Sequence, residues 1–303
     1  MNLENAWSRI ALDIEKASHL REVERYDLAE RTLRDALAEH PDVADLHLHL
    51  GYVFQDQARH DAAEQCARDA LGCDPHEGYA LLLLGDIASK AGRNVEAEQH
   101  YLAALQLDAN NPDFLRKYSH LMYSVAELDK AERLVRASLE IDPNNPGSHS
   151  LLSVILTERR KRDEAEEAGT AGLRLAPDDD VPHFSIAVSY FHGGRPLKAR
   201  QHLREALRID PDDADTQELY LEVDKLCRWI SLPLYYWSIL CERIPGGPFA
   251  IWGLFLVSFY AMEALDVPAQ ALAIVGFSYL GIVIYTWIAM PLTRIWIRMV
   301  PPR

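Results

Sequence analysis

Histidine, cysteine and aspartate are the residues of this chain best suited to chemistry, and their spacing argues against it. The 303 residues hold twelve histidines and four cysteines. Cys66, Cys73, Cys227 and Cys241 form no C-x-x-C pair, so neither a zinc finger nor a disulfide framework is expected. His47 and His49 sit two apart, which on a helix turns them to different faces and away from a shared metal. The acidic runs Asp178–Asp180 and Asp210–Asp215 lack the spaced oxygens and glycine turn of a calcium loop, so solvated helix caps are expected there. Phosphate loops of the G-x-x-x-x-G-K-S/T or G-x-G-x-x-G kind are absent, as is a G-x-S-x-G nucleophile elbow. The expectation is a chain that is not an enzyme and uses no metal and no cofactor.

The elements that carry these residues follow one repeat. Pro41, Pro75, Pro143, Pro177 and Pro211 fall on a 34-residue lattice, with Ala109 at the missing point. Six copies start near residues 10, 44, 78, 112, 146 and 180, within a domain spanning 1–213. One column reads Ala29, Ala63, Ala97, Ala131, Ala165 and Ala199; a second is always small, from Ala17 through Gly51, Gly85, Ser119 and Ser153 to Ala187. A third runs Ala36, Ala70, Ala104, Ser138, Gly172 and Ala206. Small residues belong where two helices cross closely, so each copy is expected to be an antiparallel helix pair. The column Leu37, Leu71, Leu105, Leu139, Leu173 and Leu207 is expected to fill the space between successive pairs. Turns within pairs are placed at Glu24–Asp27, Ala58–Asp61, Gly92–Val95, Glu127–Asp129, Lys161–Asp163 and Gly194–Pro196; Asp-Pro or Ala-Pro then stops each second helix. His149 and His183 share the lattice position of His47, where Leu81 and Leu115 also occur, so half-buried, hydrogen-bonded histidines are expected.

The pattern resembles the tetratricopeptide repeat family over about two-thirds of the chain. The resemblance implies an all-α solenoid of six helix pairs, with residues 214–228 as a helix capping its apolar end. It also implies a concave groove, lined by one side of each first helix, that binds a protein or peptide partner. On this sequence the groove would present Tyr52, Tyr79, Lys90, Arg116, His120, Tyr123, Phe184, Val188 and Phe191, among others. The Lys and Asn set of the carboxylate-clamp co-chaperones is missing, so chaperone-tail binding is not carried over. Arg116, His120 and Tyr123 would still suit an acidic or phosphorylated ligand.

Charge and hydropathy then divide the chain. Its formal net charge is −15, yet residues 229–303 hold four basic groups and three acidic ones; the remaining 27 and 43 lie in 1–228. Such an acidic domain is not expected to bind a nucleic-acid duplex, which needs clustered Lys and Arg. Two apolar runs, 249–265 and 267–292, read as the spans of a transmembrane hairpin within 248–303, and 229–246 as an aromatic interfacial segment. Arg228, Arg243, Arg294, Arg298 and Arg303 flank the hairpin, which puts both termini in the cytoplasm at the inner membrane, with membrane lipid as a partner.

Two functions fit this organisation: a membrane-anchored scaffold that holds a protein partner, or a homo-oligomeric channel of the antiviral-defence kind, gated by its repeat collar. Polar residues inside a membrane are functional suspects, so the channel would use Ser258, Glu263, Gln270, Ser278, Tyr285 and Thr286.

Overall fold

Six backbone positions set the fold, and all lie on the 34-residue lattice. Glu24, Ala58, Ala126 and Arg160 take φ between 57° and 62°, and Gly92 and Gly194 take 73° and 76°. In each such turn that begins a new pair partner, a left-handed residue closes the helix. The Glu24 N–H donates to the Arg21 carbonyl (3.0 Å) and the Arg25 N–H to that of Leu20 (2.8 Å). The same two bonds recur at Ala58 and Arg59, Gly92 and Arg93, Ala126 and Glu127, and Gly194 and Arg195. This pairing satisfies carbonyls that the ending helix would leave orphaned, and reverses the chain. The fourth and fifth turns begin at Ala126 and Arg160, one residue before their predicted positions.

This computed structural model describes residues 3–227, with positions 257, 276 and 277 in isolation. Those residues form thirteen helices in two units. The first unit contains α1 (Leu3–Glu22), α2 (Tyr26–Glu39), α3 (Ala44–Asp56), α4 (His60–Cys73), α5 (Gly78–Lys90), α6 (Asn94–Leu107), α7 (Pro112–Ser124), α8 (Leu128–Ile141) and α9 (Pro146–Glu158). The second contains α10 (Arg162–Leu175), α11 (Asp180–His192), α12 (Pro196–Ile209) and α13 (Ala214–Cys227).

Between pairs, aspartate side chains shape the turn. The Asp74, Asp108, Asp142 and Asp210 carboxylates each accept from the backbone N–H two residues on, at 2.9–3.1 Å. The histidine column works one step later: Nε2 of His47, His149 and His183 donates to the carbonyl of Pro41, Pro143 and Pro177, at 2.8, 2.9 and 3.2 Å. Gln217 does the same to Pro211 at 2.6 Å. The three histidines are half-buried and Gln217 is exposed; they tie α3, α9, α11 and α13 to the proline turn before each.

Packing explains the small columns. All six alanines from Ala29 to Ala199 are fully buried, with no exposed surface. A Cβ on Gly51 would stand 2.7 Å from Leu83, and one on Gly85 only 2.6 Å from the Tyr101 ring. Ser119 instead donates its hydroxyl to the Ala131 carbonyl at 2.8 Å, stitching α7 to α8. The column expected to fill the core, Leu37 to Leu207, is only half-buried. The deeper column is Leu33, Ala67, Tyr101, Val135, Gly169 and Leu203, whose sizes vary because each is matched to its opposite number.

An ionic series runs along the second helices. Glu30 pairs with Arg59 (3.0 Å), Glu64 with Arg93 (3.1 Å) and, in the second unit, Glu166 with Arg195 (2.6 Å), always 29 residues on. Position 127 is a glutamate, so Glu98 takes Lys130 at 2.8 Å instead; Glu132 takes Arg159 at 2.5 Å.

The expected fold class needs a correction. A transmembrane hairpin was expected beside the repeats, but among the described residues no helix is long and apolar enough to cross a membrane. The longest, α1 with 20 residues, carries charges throughout. The others have 13 or 14 residues and fall short of the roughly 20 that a bilayer requires. The fold is an all-α array of helical repeats, and the inner-membrane placement with cytoplasmic termini is withdrawn with the hairpin. The spans over 249–265 and 267–292, and the interfacial segment 229–246, lie outside the described residues.

Candidate functional site

The candidate site is the face of the first unit built from α1, α3, α5, α7 and α9. At its N-terminal end a hollow of about 560 Å³ opens between α1, α3 and the start of α5. Leu48 and Tyr52, with Ile14, form its apolar floor, and Tyr79, 39% exposed, stands at its edge. Edge-on packing against Phe114 (centroids 5.1 Å apart) fixes the Tyr79 ring. His49 meets Tyr52 edge-on at 6.0 Å, and the Arg21 guanidinium lies 5.3 Å from the centre of the Tyr52 ring. Arg21 is itself paired with Asp56 at 3.1 Å.

Carboxylates dominate the rim of this hollow: Glu15, Asp45 and Glu77. The Glu77 side chain caps α5 by accepting the Tyr79 N–H (3.1 Å). Partial burial raises its pKa above the ordinary carboxylate value, and Asp45 and Asp74 raise it further against the pull of that hydrogen bond. Burial and the Asp86 carboxylate likewise push the Tyr52 phenol far up.

The middle of the face is polar, and several of its groups pair with one another. Asp86 accepts from the Tyr101 hydroxyl (2.7 Å) and pairs with Lys117 (2.6 Å). Arg116 pairs with Asp113 of its own helix at 3.0 Å, while its Nε is buried without a partner. His120 is exposed at the surface, yet the surrounding protein lowers its pKa, as do Lys117 and Arg116, with Asp86 opposing. Lys90 is exposed at the end of α5, and Tyr123 is half-buried, its pKa raised by burial and by Glu158.

The predicted residues thus separate into groups. Tyr52 and Tyr79 share the hollow; Arg116 and His120 lie on α7, three residues short of Tyr123 in the latter case. Phe184 and Phe191 belong to the second unit, half-buried against a core of Ala187, Ala199, Leu203, Val223 and Cys227, with Val188 half-buried on the same helix. Residues 258, 263, 270, 278, 285 and 286 lie outside the described residues. Sequence reasoning overlooked Glu15, Asp45, Glu77 and Lys117. Asp45 and Tyr79 are lattice equivalents, so the repeat carries the signal that would have found the rim. Among the described residues no group of three or more His, Cys, Asp or Glu could hold a metal.

Models of the tetratricopeptide repeat match residues 14–77, 50–112 and 156–214, and a further one matches 88–155. The chain belongs to the tetratricopeptide repeat family. No curated protein matches it. Among solved structures, it is similar to a chain of the crystal structure of the APC/C hetero-tetramer Cut9–Hcn1, at 19% identity and a TM-score of 0.61. That match covers 70% of this chain and 42% of the other, so this chain spans less than half the length of that relative. It is also similar to pilF of Pseudomonas aeruginosa, at 20% identity and a TM-score of 0.55, covering 72% of this chain and 99% of that one. At such identities the likeness is one of fold. Tetratricopeptide repeat proteins are generally non-catalytic scaffolds that bind protein partners in the groove.

Proposed function

We propose that this tetratricopeptide repeat protein is an interaction scaffold, and that it holds an extended segment or helix of a partner on the face of α1, α3, α5, α7 and α9. Residues 1–213 form the repeat region in this reading, with α13 as its cap. The observation that carries it is the aromatic lining of an open face whose middle polar groups already pair with one another: Asp86 with Tyr101 and Lys117, Arg116 with Asp113. A face organised in this way is rigid before it binds, which lowers the ordering cost of association. Tyr52, Tyr79 and Tyr123 supply amphipathic contact area. The paired state of Arg116 and Lys117 weighs against an acidic or phosphorylated ligand. Lipid, pore and homo-oligomer are no part of this reading.

Photo-crosslinking tests it. A benzophenone amino acid at Tyr79 or Tyr123 is expected to trap the partner; at Leu102, exposed on the second helix α6, it is expected to trap nothing. Equal adducts from Leu102 would overturn the assignment of this face.

A further inference from the structure

The N-terminal hollow differs in charge from the rest of the face, and that difference specifies an occupant. Three cations elsewhere on the face have carboxylate partners: Arg21 with Asp56, Lys117 with Asp86 and Arg116 with Asp113. At the hollow the balance reverses. Glu15, Asp45 and Glu77 surround it, and no ion pair is formed by any of the three among the described residues. Glu15 and Asp45 are exposed, free to meet a ligand, while Glu77 is held at the start of α5. Like charges gathered at one mouth repel one another. A cation seated among them relieves that repulsion. The floor is apolar: Leu48 is buried, Ile14 and Tyr52 are half-buried, and Tyr79 offers an exposed ring. Its volume of about 560 Å³ accommodates one or two large side chains together with the head of a third.

We infer that this end of the groove binds a basic, amphipathic peptide segment of a partner protein: an aliphatic or aromatic side chain settles on Leu48, Tyr52 and Tyr79, and a neighbouring lysine or arginine pairs with Glu15, Asp45 or Glu77. The inference rests on the scaffold reading above and adds the partner's chemistry. It also reverses the sign of ligand that Arg116 and His120 suggest in the sequence. Charge pairs at a rim act on encounter and on salt dependence, whereas the apolar floor acts on residence.

The test uses the full chain and three fluorescein-labelled decapeptides: one with three lysines around a central Phe-x-Leu, one with the lysines replaced by glutamates, and one with the lysines kept and Phe and Leu replaced by serines. Fluorescence anisotropy is expected to show binding of the first alone, weakened on the order of tenfold by the double variant Glu15→Gln/Asp45→Asn, and weakened again between about 50 and 200 mM salt. Both substituted positions are exposed and leave the Glu77 cap in place; Tyr79→Ala, the second variant, is expected to weaken the same peptide without changing its salt dependence. The glutamate peptide binding as tightly, and still responding to Tyr79→Ala, would overturn the basic-ligand assignment while leaving the scaffold reading intact. Binding of the serine peptide as tightly as the first would overturn the amphipathic part. If no peptide binds at about 1 mM, the inference is overturned, and photo-crosslinking at Tyr79 and Tyr123 decides the scaffold reading separately.

Discussion

Ala126 carries a left-handed backbone, at φ 62°, at a turn position where two of the six copies have glycine. That conformation costs a residue with a Cβ about 1–2 kcal/mol, and glycine returns part of the gain through its freer unfolded chain. Ala126→Gly is therefore expected to stabilise the first unit by about 0.5–1 kcal/mol, read as a higher urea midpoint at unchanged slope. An unchanged or lower midpoint would show that the turn bears no strain. At this scale the sequence was legible wherever a residue type recurs: Gly92 and Gly194 mark two of the six turns directly. Glu24, Ala58, Ala126 and Arg160 carry no such signal, and the turns expected from Glu127 and Lys161 begin one residue earlier.

Between elements, size complementarity decides the packing. Gly85 of α5 leaves the space that Tyr101 of α6 fills, and Tyr101 then reaches Asp86 with its hydroxyl. A methyl at Gly85 would press on a ring that is 2% exposed and held by that hydrogen bond. Gly85→Ala is expected to cost about 1–3 kcal/mol in thermal or urea unfolding, and less in a Tyr101→Leu background. Additive effects of the two changes would mean that they do not share one packing site. Such pairing explains what sequence reading missed. The six alanines are legible because one type repeats, and all six are buried. The deeper column from Leu33 to Leu203 changes type in nearly every copy, because each member is fitted to a different opposing residue. Likewise, Arg116 and His120 read as free cations and groove ligands when considered as types. Their state depends on Asp113, one turn away on the same helix, and on Asp86 and Lys117, which meet only once successive first helices are side by side.

For the whole molecule, four histidines set the response to acid. Burial lowers the pKa of the half-buried His49, His100 and His202 below the ordinary 6.5, and the surrounding protein with Lys117 and Arg116 lowers that of His120, so the fold favours their neutral form. His202 also faces His183, with Nδ1 atoms 3.3 Å apart, and stacks against Tyr190. The unfolded chain protonates first, so stability is highest above about pH 6.5 and falls as pH drops through that range. The raised carboxyls of Asp56, Glu77 and Asp180 act in the opposite sense, but nearer their ordinary range of 3.8–4.5. The melting temperature is expected to fall between about pH 7.5 and 5.5, and less steeply in His202→Phe, which keeps the ring stack and removes one titration. Identical slopes would exclude His202 as a contributor.

The ionic series along the second helices has a bearing on how chains of this kind change length. Glu64–Arg93 and Glu132–Arg159 are complete fastenings on either side of the irregular pair Glu98–Lys130. Excision of residues 94–127 would join Arg93 to Leu128 at matching turn positions, one full lattice period apart. Each retained glutamate would still meet its own arginine, but Phe114, the ring that fixes Tyr79 at the edge of the hollow, would be removed and Ser148 would stand at its lattice position. Loss of that copy therefore keeps the ionic fastenings in step while exchanging a ring at the edge of the binding end, so copy number and choice of ligand are coupled through α7.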